Sequence, residues 1–217
     1  PNTSSAASDV YKRQPMLATE DNTWQILIKS DGTHRRTSVQ RHVQFVRVRN
    51  KESDRHAGRV RYHECVRLVK WWRDFKSAES SLSVPTFLVD LLCAAAFDAV
   101  GVQKTYEQTL AAWFGWLAHA VEQSQRIAFS DFEAIPPATG GWSVLDPVDP
   151  TNNVVVGWAS WKRQELAAWF ADGRDILHRA MACDQRGDET AVLGHLQELL
   201  GSPCLLYTSP SPRDRYG

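Results

Sequence analysis

Residues 84–100 constrain the fold more than any other stretch. They read VPTFLVDLLCAAAFDAV, with Asp90 and Asp98 as the only charges. A helix that is apolar almost all round belongs in the middle of a bundle. Pro85 suits its first turn, where a missing N–H costs nothing. Ser83 is placed to cap it and Gly101 to stop it.

Such a helix needs others around it, and the flanking sequence supplies them. Residues 39–50 carry Val39, Val43 and Val46 at helical spacing behind Ser38, a good cap. Residues 59–76 form a strong helix with Val60, Leu68, Val69, Trp72 and Phe75 on its apolar side. Helices are also expected over 106–123, from a Ser160 cap to about Cys183, and over 190–200. The start reads differently. Residues 24–30 are β-prone and followed by Asp31-Gly32, which predicts a strand, a turn and a return strand at 34–37. A short strand is expected at 127–132, and 135–141 (IPPATGG) cannot be helical. The fold class is therefore mainly α, with a β-hairpin remnant before residue 38.

Nine tryptophans and a 43% apolar share allow a real core. No run approaches the roughly 18 apolar residues of a membrane span. Cys65, Cys93, Cys183 and Cys204 form no Cys-x-x-Cys pair, which fits buried thiols and a cytoplasmic setting better than disulfides or zinc. Between Lys29 and Lys76 there are 14 Lys/Arg against five Asp/Glu, in a chain of zero formal net charge. A local basic block points to a local anionic ligand such as a polyphosphate. The acidic second half argues against double-stranded RNA, which needs a long basic stripe.

The two ends read as translated sequencing adaptor. Residues 9–14 can be encoded by GAT GTG TAT AAG AGA CAG. Residues 204–209 can be encoded by TGT CTC TTA TAC ACA TCT, the reverse complement of the first once Pro203 ends its codon in C. Residues 1–14 and 204–217 are accordingly expected to be adaptor-derived and disordered, and are set aside. That leaves 15–37 as sheet and 38–203 as the helical domain.

Arg67 and Lys70 lie three apart on one helix and so share a face. There an Arg fork and a Lys point charge can grip a triphosphate. Two ordinary surface cations also fit that spacing. Thr86 and Phe87 open the next helix, where free N–H groups attract phosphate oxygens and an aromatic ring can stack on a base. Simple capping and core packing fit them as well. Asp146 and Asp149, each before a proline, read as turn builders rather than metal ligands. The seven histidines form no metal pattern.

Three stretches taken in order narrow these readings. VRLVKWW at 66–72, VPTFLVDLL at 84–92 and VLDPVDPTNN at 144–153 resemble the C-terminal half of 2′-5′-oligoadenylate synthase-like nucleotidyltransferases. That group includes the cGAS/DncV-like enzymes of bacterial antiphage systems. The resemblance implies that Arg67 and Lys70 contact the donor nucleoside triphosphate, ATP or another. Where the family has Pro-Gln-Tyr, this chain has Pro85-Thr86-Phe87, keeping a short donor and a stacking ring. The family also carries a Gly-Ser loop and three aspartates that hold Mg²⁺ in the full-length enzyme. No Gly-Ser followed by Asp-x-Asp occurs between Pro15 and Pro203. The resemblance thus implies a lobe lacking catalytic and metal residues, inactive alone, whose partner is an N-terminal catalytic lobe. The activity implied is synthesis of a cyclic or linear oligonucleotide second messenger in antiviral defence. The alternative is a non-catalytic nucleotide-binding or regulatory module of the same fold.

Overall fold

The structure is a computed structural model that describes residues 16–18, 24–28, 34–55, 58–138 and 140–201. The segments read as adaptor, 1–14 and 204–217, lie outside the described residues, as does the Asp31-Gly32 turn.

Three short antiparallel strands come first: β1 (Met16–Ala18), β2 (Gln25–Ile28) and β3 (His34–Thr37). The register places Gln25 opposite Thr37 and Met16 opposite Leu27. The expected hairpin is thus β2–β3, and β1 adds a third strand that a three-residue apolar stretch does not announce. Gln25 Oε1 accepts a hydrogen bond from Val39 N at 3.0 Å, tying the sheet to the first helix.

Among the described residues six helices follow: α1 (Val39–Ser53), α2 (Tyr62–Ala78), α3 (Thr86–Val100), α4 (Tyr106–Glu122), α5 (Ser160–Asp184) and α6 (Glu189–Leu200). Ser38 caps α1 as expected, its side chain accepting from Arg41 N. Two other expected caps are wrong. Pro85, not Ser83, occupies the N-cap of α3, because its extended backbone (ψ 140°) sets the entry and its carbonyl accepts from Val89 N. Ala159, not Ser160, is the N-cap of α5, and no side chain bonds there. Gly101 stops α3 at φ 65°, a conformation that costs glycine nothing. No strand forms at 127–132; Ile127 instead makes one isolated bridge to Val144, and Leu145 one to Asn153.

Helix α3 is the hub. Leu88, Leu91, Leu92, Cys93, Ala94 and Ala96 are at most 1% exposed. An aromatic cluster fills the space between α2, α4 and α5: Trp72 stacks on Phe170 at 5.3 Å and meets Phe114 at 4.6 Å. Gly173 permits this, since a Cβ there would stand 2.9 Å from the Phe114 ring.

One expectation about α1 is overturned. Val39, Val43 and Val46 are exposed by 52%, 42% and 37%, while Phe45, Arg49 and Ser53 face inward. Arg49 can be buried because its guanidinium is fully engaged. It donates through Nε to Asp98 at 2.9 Å, through Nη1 to Asp131 at 3.0 Å and to the Phe45 carbonyl. Those carboxylates come from α3 and from the 124–138 connection, so a single buried cation pins α1 to both. Among the described residues, no helix is long and apolar enough to cross a membrane.

Candidate nucleotide-binding site

A cavity of about 360 Å³ opens where α1, α2 and α3 meet. Arg67 and Lys70 line it from α2, Phe87 and Asp90 from α3, and His42, Phe45 and Val46 from α1, over a floor that includes Tyr62 and Val66. Three of the four residues singled out in the sequence are therefore brought together. The helix α2 does this by periodicity: Val66 and Val69 are buried, which turns Arg67 and Lys70 to the rim.

Thr86 lies beside the cavity and is not among its lining residues. It is exposed at the first position of α3, and its hydroxyl oxygen accepts from Arg73 Nη2 at 3.1 Å. Arg73, only 8% exposed, also donates to the Val84 carbonyl, so it holds the mouth of α3 in place. The hydroxyl keeps its own proton to donate.

Electrostatically the cavity is mixed. Lys70 Nζ pairs with Asp90 Oδ1 at 2.6 Å, each side chain 31% exposed. Arg67 is exposed, with its fork open to an anion. Burial pushes the Tyr62 phenol well above its ordinary range, so it stays neutral on the floor.

Opposite the cations, His42 meets Phe87 edge-on, with ring centroids 5.4 Å apart. Its Nε2 lies 3.0 Å from Asp146 Oδ1, across 104 residues of sequence. Asp146 is 6% exposed and builds the expected turn: its Oδ1 accepts from Val148 N at 2.8 Å and its Oδ2 from Asn152 Nδ2 at 3.3 Å. Burial pushes this carboxyl upward, but the hydrogen bonds from His42 and the Val148 N–H outweigh it and hold the group below the usual range.

Sequence reasoning missed His42 and Asp90. Asp90 was within reach, since it follows Phe87 by one helical turn and so shares its face. Nothing local to His42 marks it; only the chain's return at 146 gives it a partner. Among the described residues, no group of three or more His, Cys, Asp or Glu could hold a metal ion.

No protein-family model matches the chain. A search of characterised proteins finds the cyclic AMP-AMP-AMP synthase of Escherichia coli (strain MS 115-1), 29% identical over 133 residues. The resemblance to cGAS/DncV-like nucleotidyltransferases holds. That match covers 59% of this chain and 40% of the synthase. Two solved structures share the fold: E. coli MS115-1 CdnC with ATP (TM-score 0.74, 23% identity) and the same enzyme in its HORMA-deltaN complex (TM-score 0.72, 22% identity). They cover 87% and 86% of this chain but 58% and 56% of their own, so the chain spans little more than half of the nucleotidyltransferases it superposes on. That partial coverage fits the C-terminal half expected from the three sequence stretches.

Proposed function

We propose that this chain is the donor-nucleotide-binding lobe of a nucleotidyltransferase that joins nucleoside triphosphates into a cyclic or linear oligonucleotide signal in antiphage defence. The observation that carries this is the α1–α2–α3 cavity, which gathers Arg67, Lys70 and Phe87 in a chain related to a cyclic trinucleotide synthase.

Arg67 and Lys70 take the triphosphate at the α2 rim, the first as a fork and the second as a point charge. Thr86, oriented by Arg73, adds a hydroxyl donor at the start of α3. Phe87 carries the base, a contact worth about 1–3 kcal/mol that tolerates any base. Lys70 must turn from Asp90 toward the phosphates, so binding exchanges one ion pair for another.

Asp90, the carboxylate lining the cavity, is engaged by Lys70, and among the described residues no two further metal-ligating groups join it. In this proposal Mg²⁺ and the three aspartates belong to a catalytic lobe outside the chain, and the chain alone grips the nucleotide without turning it over. The setting is cytoplasmic.

Titration of the chain with ATP by calorimetry tests the reading. Saturable one-site binding that weakens at least tenfold in Lys70→Ala supports it, since tenfold corresponds to about 1.4 kcal/mol, less than one charge-assisted contact can contribute. Binding that Lys70→Ala leaves unchanged would remove the cavity from the account.

A further inference from the structure

Two facts about His42 have no role in triphosphate gripping. It is fixed on the cavity wall by a buried carboxylate from a distant turn, and its ring borders Phe87. The turn at 146–153 therefore does more than brace the domain: it presents Asp146 to α1.

The partner sets the tautomer. An ionised carboxylate can only accept hydrogen bonds. Asp146 is held in that state by its backbone and side-chain donors, so His42 Nε2 must carry the proton and donate. In the neutral ring, Nδ1 is then a lone-pair acceptor. Among the described residues, none bonds to Nδ1.

Position says what that acceptor meets. The cations stand on α2, where phosphates go; Phe87 stands on α3 against His42, where a base goes. A ring nitrogen that accepts, at the base end of the cavity, matches an exocyclic amino group and not a carbonyl.

We propose that His42 is a specificity-determining residue, its Nδ1 accepting a hydrogen bond from the exocyclic amine of a nucleobase laid on Phe87, with Asp146 as its positioning residue. This rests on the nucleotide-binding reading above and deepens it. Of the other α1 and α3 residues that line the cavity, Phe45, Val46 and Leu91 have no polar side-chain atom. Asp90, which Lys70 leaves when it turns to the phosphates, is the rival acceptor, and His42→Phe separates the two.

The test compares ATP with purine riboside 5′-triphosphate, which lacks only the 6-amino group, on the intact chain by calorimetry. The wild type should bind ATP about five- to tenfold more tightly, the scale of one neutral hydrogen bond. His42→Phe, which keeps a ring and loses the acceptor, should bring the two affinities within about twofold of each other. It should do so by weakening ATP alone. His42→Gln, whose amide oxygen can accept, should restore part of the preference. Asp146→Ala should lose the preference through a loosened ring, and the purine riboside triphosphate affinity, which a merely structural role would lower equally, should hold. A wild type that binds both ligands equally would overturn the role of His42 while leaving the nucleotide site intact. A His42→Phe protein that keeps the full preference would do the same. A wild type that binds neither ligand would overturn the nucleotide reading itself, and this inference with it.

Discussion

Lys70 Nζ lies 2.6 Å from Asp90 Oδ1, so the cation best placed to grip a triphosphate is already paired with a carboxylate of the next helix. The pair is partly exposed, and such pairs contribute only ~1 kcal/mol or less to stability. Breaking it is therefore cheap for the fold and consequential for the ligand. Asp90→Asn should tighten ATP binding by about three- to tenfold, because it removes a like charge from the phosphate's surroundings and frees Lys70. The melting temperature should move little. Weaker ATP binding in Asp90→Asn would show that Asp90 helps the ligand rather than competing with it.

Arg49 gives the opposite kind of prediction. Its side chain is 5% exposed and serves Asp98 and Asp131 at once, with its guanidinium 3.7 Å from the Phe45 ring centroid. Removing one partner of a buried pair typically costs about 3–5 kcal/mol. Asp98 and Asp131 keep 41% and 21% exposure, so the loss here should be smaller, about 2–3 kcal/mol. Denaturant unfolding of Arg49→Met measures it, and a cost under about 1 kcal/mol would mean that the clamp is replaceable by packing.

The Asp146 carboxyl predicts an acid dependence. Burial raises it, and the hydrogen bonds led by that of His42 bring it below the ordinary carboxylate value. A depressed folded value means that its stabilisation is fully present above the unfolded value, near 4, and is lost as pH falls through the folded one. The stability gap between wild type and Asp146→Asn should be constant above about pH 5 and shrink below about pH 4. A gap that grows on acidification would reverse the assignment.

Thiol chemistry should follow burial. Burial, with a smaller contribution from Glu64, pushes Cys65 up to about 12, and burial drives Cys93 well above its ordinary value. Thiols held protonated are poor nucleophiles. Peptide mapping after iodoacetamide at neutral pH should find Cys65 and Cys93 unmodified in the native chain and modified after denaturation. Native labelling of either would show that the α2–α3 contact opens.

Helices α2 to α5 were legible from their apolar content, and Trp72, Leu88 and Leu117 are buried. Helix α1 shows the limit of that reading. Its valines look like the buried face and are not; Arg49 is buried because two carboxylates, 49 and 82 residues on, offset its charge. Local pattern cannot see that compensation. The same holds at the cavity. Arg67, Lys70 and Phe87 sit in recognisable stretches, whereas His42 acquires meaning only from Asp146. Gly173 is a further case: nothing beside it in sequence tells that Phe114 needs the space.

The central claim is that the cavity between α1, α2 and α3 holds the nucleotide. Photolabelling the chain with 8-azido-ATP, with excess ATP as competitor, tests it most directly. The account predicts competable label on residues lining the base end, in the peptides that contain His42 and Phe87. Competable label confined to peptides away from α1, α2 and α3 would contradict it.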